Sequence, residues 1–305
     1  MSVDLNAIFK NKAINGWPLF ALIAIPISIL VILEMISLDM STGPAVSEMI
    51  GYSVRLAIPF IYIVVATSSL QILYPSVFSR WLLRNRKYVG LCFAVAMAWQ
   101  GLYIFIISTF FREYYFENIY VLRDELEGTV GYIFLTFMIL TSFQITRKKI
   151  TQKQWKLIQQ GGIYILWAYP FSVYWWNLYY YESPPLLHDY VFYWTGFIAF
   201  GLRIAAWGKQ RLQAAEKANE LSASAFSKTL GTVFLALGIS ASATGSYWQD
   251  PASVFLTSQQ WSANLAVWFP FWPFEPFLPL ATIGLGTLLL TSTRPHPRLT
   301  PMTSS

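Results

Sequence analysis

Charge is what this chain has least of. Only 12% of its 305 residues are Asp, Glu, Lys or Arg, against 55% that are apolar, and the mean hydropathy is +0.46. A soluble domain carries about a quarter charged residues, so this composition could not cover the surface of two soluble domains of this total length. The apolar content equally excludes a disordered chain. One cysteine, Cys92, excludes a disulfide scaffold, and two histidines, His188 and His296, leave little for a histidine-based metal centre. The net charge of +6 is spread loop by loop and does not cluster as it would on a nucleic-acid-binding face.

What is present is long apolar runs. A span needs about 20 predominantly apolar residues, and eight segments qualify: 17–38, 51–73, 88–111, 129–146, 161–182, 189–207, 226–246 and 276–293. The first is longer than the 7–15-residue apolar stretch of a signal peptide and ends in no small-residue cleavage site, so it reads as an uncleaved helix. Lys and Arg fall in alternate loops. Residues 74–87 hold Arg80, Arg84, Arg86 and Lys87; residues 147–160 hold Arg147, Lys148, Lys149, Lys153 and Lys156; residues 208–228 hold Lys209, Arg211, Lys217 and Lys228; the tail holds Arg294 and Arg298. The intervening loops are acidic. Because basic loops stay cytoplasmic, the expectation is an all-α bundle of eight transmembrane helices with both termini inside. The expected location is a bacterial inner membrane, and the expected partners are the bilayer and another membrane protein.

Residues 208–225 read as a charged, Ala-rich cytoplasmic connector between a core over 1–207 and a C-terminal helix pair over 226–305. Glu34 and Arg55 lie about one turn, roughly 6 Å, from the outer interface on the first two spans, where they can pair. Arg203 is expected to snorkel from the inner end of the sixth span. Pro26, Pro59 and Pro170 fall inside spans, where each frees a carbonyl and tends to kink its helix. The outer loop 247–275 is rich in aromatics and proline, with Trp248, Trp261, Trp268 and Trp272. It reads as an interfacial belt, as a surface for a membrane partner or as a lid over a pocket.

Two stretches carry a resemblance. Arg86-Lys87-Tyr88-Val89-Gly90-Leu91-Cys92-Phe93 is followed by Gln100 and Tyr103. Further on, Leu140-Thr141-Ser142 leads through a basic loop to Trp155-Lys156-Leu157-Ile158-Gln159-Gln160 and, thirteen positions after Gln159, to Ser172. Over roughly 50–207 this pattern resembles the ferric reductase-like transmembrane domain superfamily, and most of all the haem-binding membrane subunit of methionine sulfoxide reductase. The resemblance implies a six-helix core in which histidines at the positions of Gln100, Gln159 and Ser172 would clamp haem iron. Here none is histidine, and Gln and Ser lack the basic ring nitrogen. Cys92, Met97 and Met138 are the other candidate ligands, without a convincing pair among them. The two histidines would lie on opposite sides of the membrane.

Three functions stay open. The first is a haem-free accessory or assembly subunit, or a protein that binds a small amphiphile such as a quinone or lipid between Gln100, Gln159, Gln160 and Ser172, with Gly161-Gly162 allowing close approach. The second is a transmembrane electron carrier with haem b in atypical ligation. The third is a transporter or lipid-handling protein working through Glu34 and Arg55. No nucleophile–base pair, metal-ligand cluster or phosphate-binding glycine loop points to an independent enzyme.

Overall fold

A computed structural model describes residues 5–181, 183–258, 265, 269 and 271–293. Among these residues the fold is helical, without a β-strand: α1 (Leu5–Lys10), α2 (Trp17–Ser37), α3 (Gly43–Leu73), α4 (Val77–Phe110), α5 (Arg112–Asn118), α6 (Leu122–Thr141), α7 (Gln144–Arg147), α8 (Gln152–Tyr179), α9 (Leu187–Lys217), α10 (Ala225–Ala243), α11 (Gly245–Leu256) and α12 (Leu278–Leu290). Local chemistry sets several starts. Proline opens α2, α3 and α12, where the missing N–H costs nothing. Ser76 with Ser79, and Thr151 with Gln154, form reciprocal caps at α4 and α8.

Four helices, α2, α3, α4 and α10, are long and apolar enough to cross a membrane. The other four expected spans are also helices but differ in character. α6, α8 and α9 carry more Tyr, Trp and polar residues, while α12 has 13 residues, about 20 Å of rise. Several bounds depart from expectation. α3 begins at Gly43, α4 at Val77 and α8 at Gln152, so Arg80, Arg84, Arg86 and Lys87 fall within the first three turns of α4 and Lys153 and Lys156 within the first two of α8, where a loop was expected. α9 runs unbroken to Lys217, so the segment 208–225 is largely a continuation of that helix and not a separate connector. Surface helices also form at α5 and α11, the latter inside the region read as loop 247–275.

The core is built on the long pair α3 and α4, with α9 packed on α3, α2 on α4, and α8 between α6 and α9. Its centre is aromatic: Trp167 stacks on Phe171 and Phe200, and Phe171 on Tyr193. α10 and α12 meet backbone to backbone, because a Cβ on Gly286 would stand 2.7 Å from the Gly231 carbonyl. The pair is fastened to the core through the Tyr179 and Tyr193 hydroxyls, which both donate to the Ser242 carbonyl, at 2.9 and 2.8 Å.

Candidate functional site: a cavity beside α6

α6 packs along α8 but makes few contacts with α4 and α3. The gap is a cavity of about 680 Å³, within the range of small-molecule sites. Its walls are apolar: Val54, Ala57 and Ile58 from α3, Phe93, Met97 and Ile104 from α4, Leu135 from α6, and Ile165 and Leu166 from α8. Pro170, which has no N–H to give the Leu166 carbonyl, lines the same wall.

Polar groups gather toward one end. The Tyr132 hydroxyl lies 2.9 Å from the Gln100 side-chain oxygen and 3.0 Å from the Met97 carbonyl. With its oxygen engaged by Tyr132, Gln100 keeps two amide N–H groups for a ligand. Tyr169, Tyr115, Asp124, Glu125 and Glu127 complete the mouth. Tyr115 donates its hydroxyl to Glu125. Burial, then the bond to Glu125, push that phenol well above its usual range. Asp124 and Glu125 also occupy the first turn of α6, where carboxylates favour the helix dipole.

Glu127 ties this mouth to the C-terminal region. It is buried, accepts the Phe271 backbone N–H at 2.8 Å, and stands 3.9 Å from Arg123. Arg123 itself lies over the Trp176 ring at 5.1 Å. Glu275, in the 3₁₀ turn ahead of α12, is buried too, with one carboxylate oxygen unpartnered. Both residues precede the apolar stretches of their helices, and burial raises both carboxyls above the ordinary value of 4.5; the Phe271 N–H offsets part of this for Glu127.

The residues expected to form one ligand space are dispersed. Gln100 lines the cavity. Gln159 instead donates to the Met138 carbonyl at 3.1 Å and to Thr141 Oγ1 at 3.0 Å, joining α8 to the far end of α6. Ser172 is buried with its hydroxyl on the Tyr169 carbonyl of its own helix at 2.9 Å. Gln160 is exposed. Gly162 serves helix packing, since a Cβ there would stand 2.3 Å from the Met138 sulfur. Cys92 is buried near the Phe20 carbonyl.

Glu34 and Arg55 are also not brought together. Among the described residues the ion pairs are those of Arg123 with Asp124 and Glu127, and His188 with Asp189. Arg55 reaches over Tyr52. The reason is helix pairing: α2 packs chiefly on α4 and only lightly on α3, with Trp99 Nε1 bonded to Ser28 Oγ at 3.1 Å. Arg203 is half-buried and donates to the Val65 carbonyl and to the exposed Tyr164 hydroxyl. Trp248 donates to the Ala241 carbonyl and packs on Trp175, and Trp272 is buried against Phe274. Trp248 is half-buried against the core; Trp261 and Trp268 lie outside the described residues.

Tyr132, Tyr169 and Tyr115 were not singled out by the sequence pattern. Only the run Asp124, Glu125, Glu127 was visible there, and it reads first as an orientation signal. No family model, curated protein or solved structure matches the chain.

Proposed function

We propose that this chain is a haem-free, multi-pass integral membrane protein that binds an uncharged or cationic amphiphile in the cavity between α3, α4, α6 and α8. The eight expected spans correspond to α2, α3, α4, α6, α8, α9, α10 and α12, with the basic helix ends in the cytoplasm. The observation that carries this reading is the cavity: an apolar body of about 680 Å³ under a mouth of three carboxylates, three phenols and the Gln100 amide. The walls take a hydrocarbon tail. The carboxylates repel an anionic head and attract a cationic one, and the amide N–H groups suit the carbonyl of an uncharged quinone-like head. The positions at which the ferric reductase-like resemblance would place haem ligands are spent on separate hydrogen bonds by Gln159 and Ser172, which favours an organic ligand over haem.

The test is displacement of an environment-sensitive dye from the detergent-purified protein by three C10–C12 probes: an alkyl benzoquinone, an alkyl trimethylammonium and an alkyl sulfate. The quinone and the ammonium are expected to displace the dye and the sulfate to fail. Gly128 lines the cavity, and a Cβ there meets nothing within 4 Å. Gly128→Leu, whose Cβ enters open space, is expected to narrow the mouth and weaken displacement, with an unchanged unfolding temperature as the check that the protein stays folded. Equal displacement by all three probes in both proteins would sink the proposal. A Soret band stoichiometric with protein, shifting on reduction, would replace it with electron transfer.

A further inference from the structure

The opposite, basic end of the bundle holds a second unassigned feature, independent of the cavity. Most basic side chains of α4 are occupied or solvated. Arg80 is exposed. Arg84 donates to the Phe9 carbonyl and to Asn15 Oδ1. Lys87 sits among the rings of Trp17, Tyr88 and Phe143, closest to Phe143 at 4.8 Å. Arg86 is different. It is half-buried between helices, and its one hydrogen bond is a long contact of 3.5 Å to Ser68 Oγ on α3.

Beside it, Arg203 on α9 donates to the Val65 carbonyl, one turn from Ser68, at 3.2 Å, and to the Tyr164 hydroxyl on α8 at 2.7 Å. Its guanidinium lies 4.9 Å from the centre of the Tyr164 ring. The two side chains thus reach α3 one turn apart, Arg86 at Ser68 and Arg203 at Val65. Among the described residues the carboxylates at this end, Glu216 and Glu220, pair with neither. Four helices thus hold two positive forks together without a counter-charge, an arrangement that an anion would stabilise.

We propose that Arg86 and Arg203, with the Ser68 and Tyr164 hydroxyls, form a binding site for a phosphate oxyanion, presented by a phospholipid headgroup or as free phosphate. Each guanidinium can take a separate oxygen of a tetrahedral phosphate, whose negative charge offsets the repulsion between the two forks. Basic pockets between helices on the cytoplasmic side are where anionic headgroups dock.

The experiment titrates full-length protein in neutral detergent with phosphatidylglycerol, with phosphatidylcholine and with inorganic phosphate, following the unfolding temperature. Phosphatidylglycerol is expected to raise it and phosphatidylcholine not to. A rise with inorganic phosphate as well identifies a soluble anion as an accepted ligand; a rise with the lipid alone identifies the headgroup. Arg86→Gln should bind about tenfold more weakly, Arg86→Lys should fall between, and Arg80→Gln should match wild type. Phosphorus analysis of wild-type protein purified from membranes supplies a readout that needs no variant, with about one equivalent per chain expected. The proposal is overturned if Arg86→Gln responds like wild type, or if the wild type responds to neither phosphate source and carries no phosphorus.

Discussion

Gln100 and Tyr132 share a hydrogen bond of 2.9 Å, and a ligand entering the cavity meets the part of the amide that this bond leaves over. Gln100→Leu removes those N–H groups while Tyr132 keeps the Met97 carbonyl. Loss of one ligand hydrogen bond of about 1 kcal/mol predicts roughly fivefold weaker binding of the alkyl benzoquinone, read by dye displacement, with an unchanged unfolding temperature. A second consequence belongs to Glu275 and Glu127. Their carboxyls are raised by burial, so the folded state holds protons that the unfolded state gives up. That contribution is fully present below the ordinary carboxyl value of 4.5 and is lost as pH rises through the raised values. The protein should therefore unfold at a higher temperature at pH 5 than at pH 8. Glu275→Gln, neutral at both pH values, should reduce the difference and raise stability at pH 8. A scan showing the opposite slope, or no change in the variant, would contradict this account.

Among the elements, the contact between α10 and α12 makes the sharpest demand on side-chain size. A Cβ on Gly286 would stand 2.7 Å from the Gly231 carbonyl and 2.9 Å from the Leu235 nitrogen, backbone atoms that cannot rotate away. Gly286→Leu should cost about 1–3 kcal/mol or more and lower the unfolding temperature. Amphiphile binding should survive, since neither helix lines the cavity. A variant as stable as wild type would show that this helix pair is not closely packed. Helix positions were legible in the sequence because apolar runs mark them directly: each of the eight expected segments overlaps a helix. Helix ends were less so. α3, α4, α8 and α9, of 31, 34, 28 and 31 residues, exceed the roughly 20 needed for a span, so their ends carry charges that a composition-based reading assigns to loops. Helix neighbours were not legible at all. Sequence adjacency suggested α2 against α3 and a Glu34–Arg55 pair, but α2 lies chiefly on α4. The cavity was hidden for the same reason, since it exists only because α6 stands away from α3 and α4. Gln100 could be found as a mid-helix polar residue, but nothing in the spacing distinguished it from Gln159, which was already spent on α6.

At the scale of the whole molecule, the long helices alternate in direction and sort charge between two ends. Lys209 donates to the Ile72 and Leu73 carbonyls where α3 finishes, and Arg80 to Lys87 open α4 at that same end. The opposite end gathers Asp124, Glu125, Glu127 and Glu275, with Asp189 bonded to Asn177. Of the arginines at that end, Arg123 pairs with Asp124 and Glu127, while Arg55 and Arg112 lie over the Tyr52 and Phe116 rings. This sorting sets the proposed orientation, because Lys and Arg are retained on the cytoplasmic side. It also sets where the two proposed ligands would enter: a phosphate from the cytoplasm or inner leaflet, and an amphiphile from the outer side. Cys92 is buried, so a Cys92→Ala background accepts single reporter cysteines at exposed positions. With Glu117→Cys and Ser183→Cys, a membrane-impermeant maleimide should label intact cells. With Lys148→Cys and Lys217→Cys, it should label only after the membrane is opened. Exchange of the two groups would invert the molecule and bring the acidic mouth to the cytoplasm. Labelling of all four from one side would show that α6, α8 and α9, which fall short on apolar composition, do not complete the alternation, and the eight-span arrangement would fail with them.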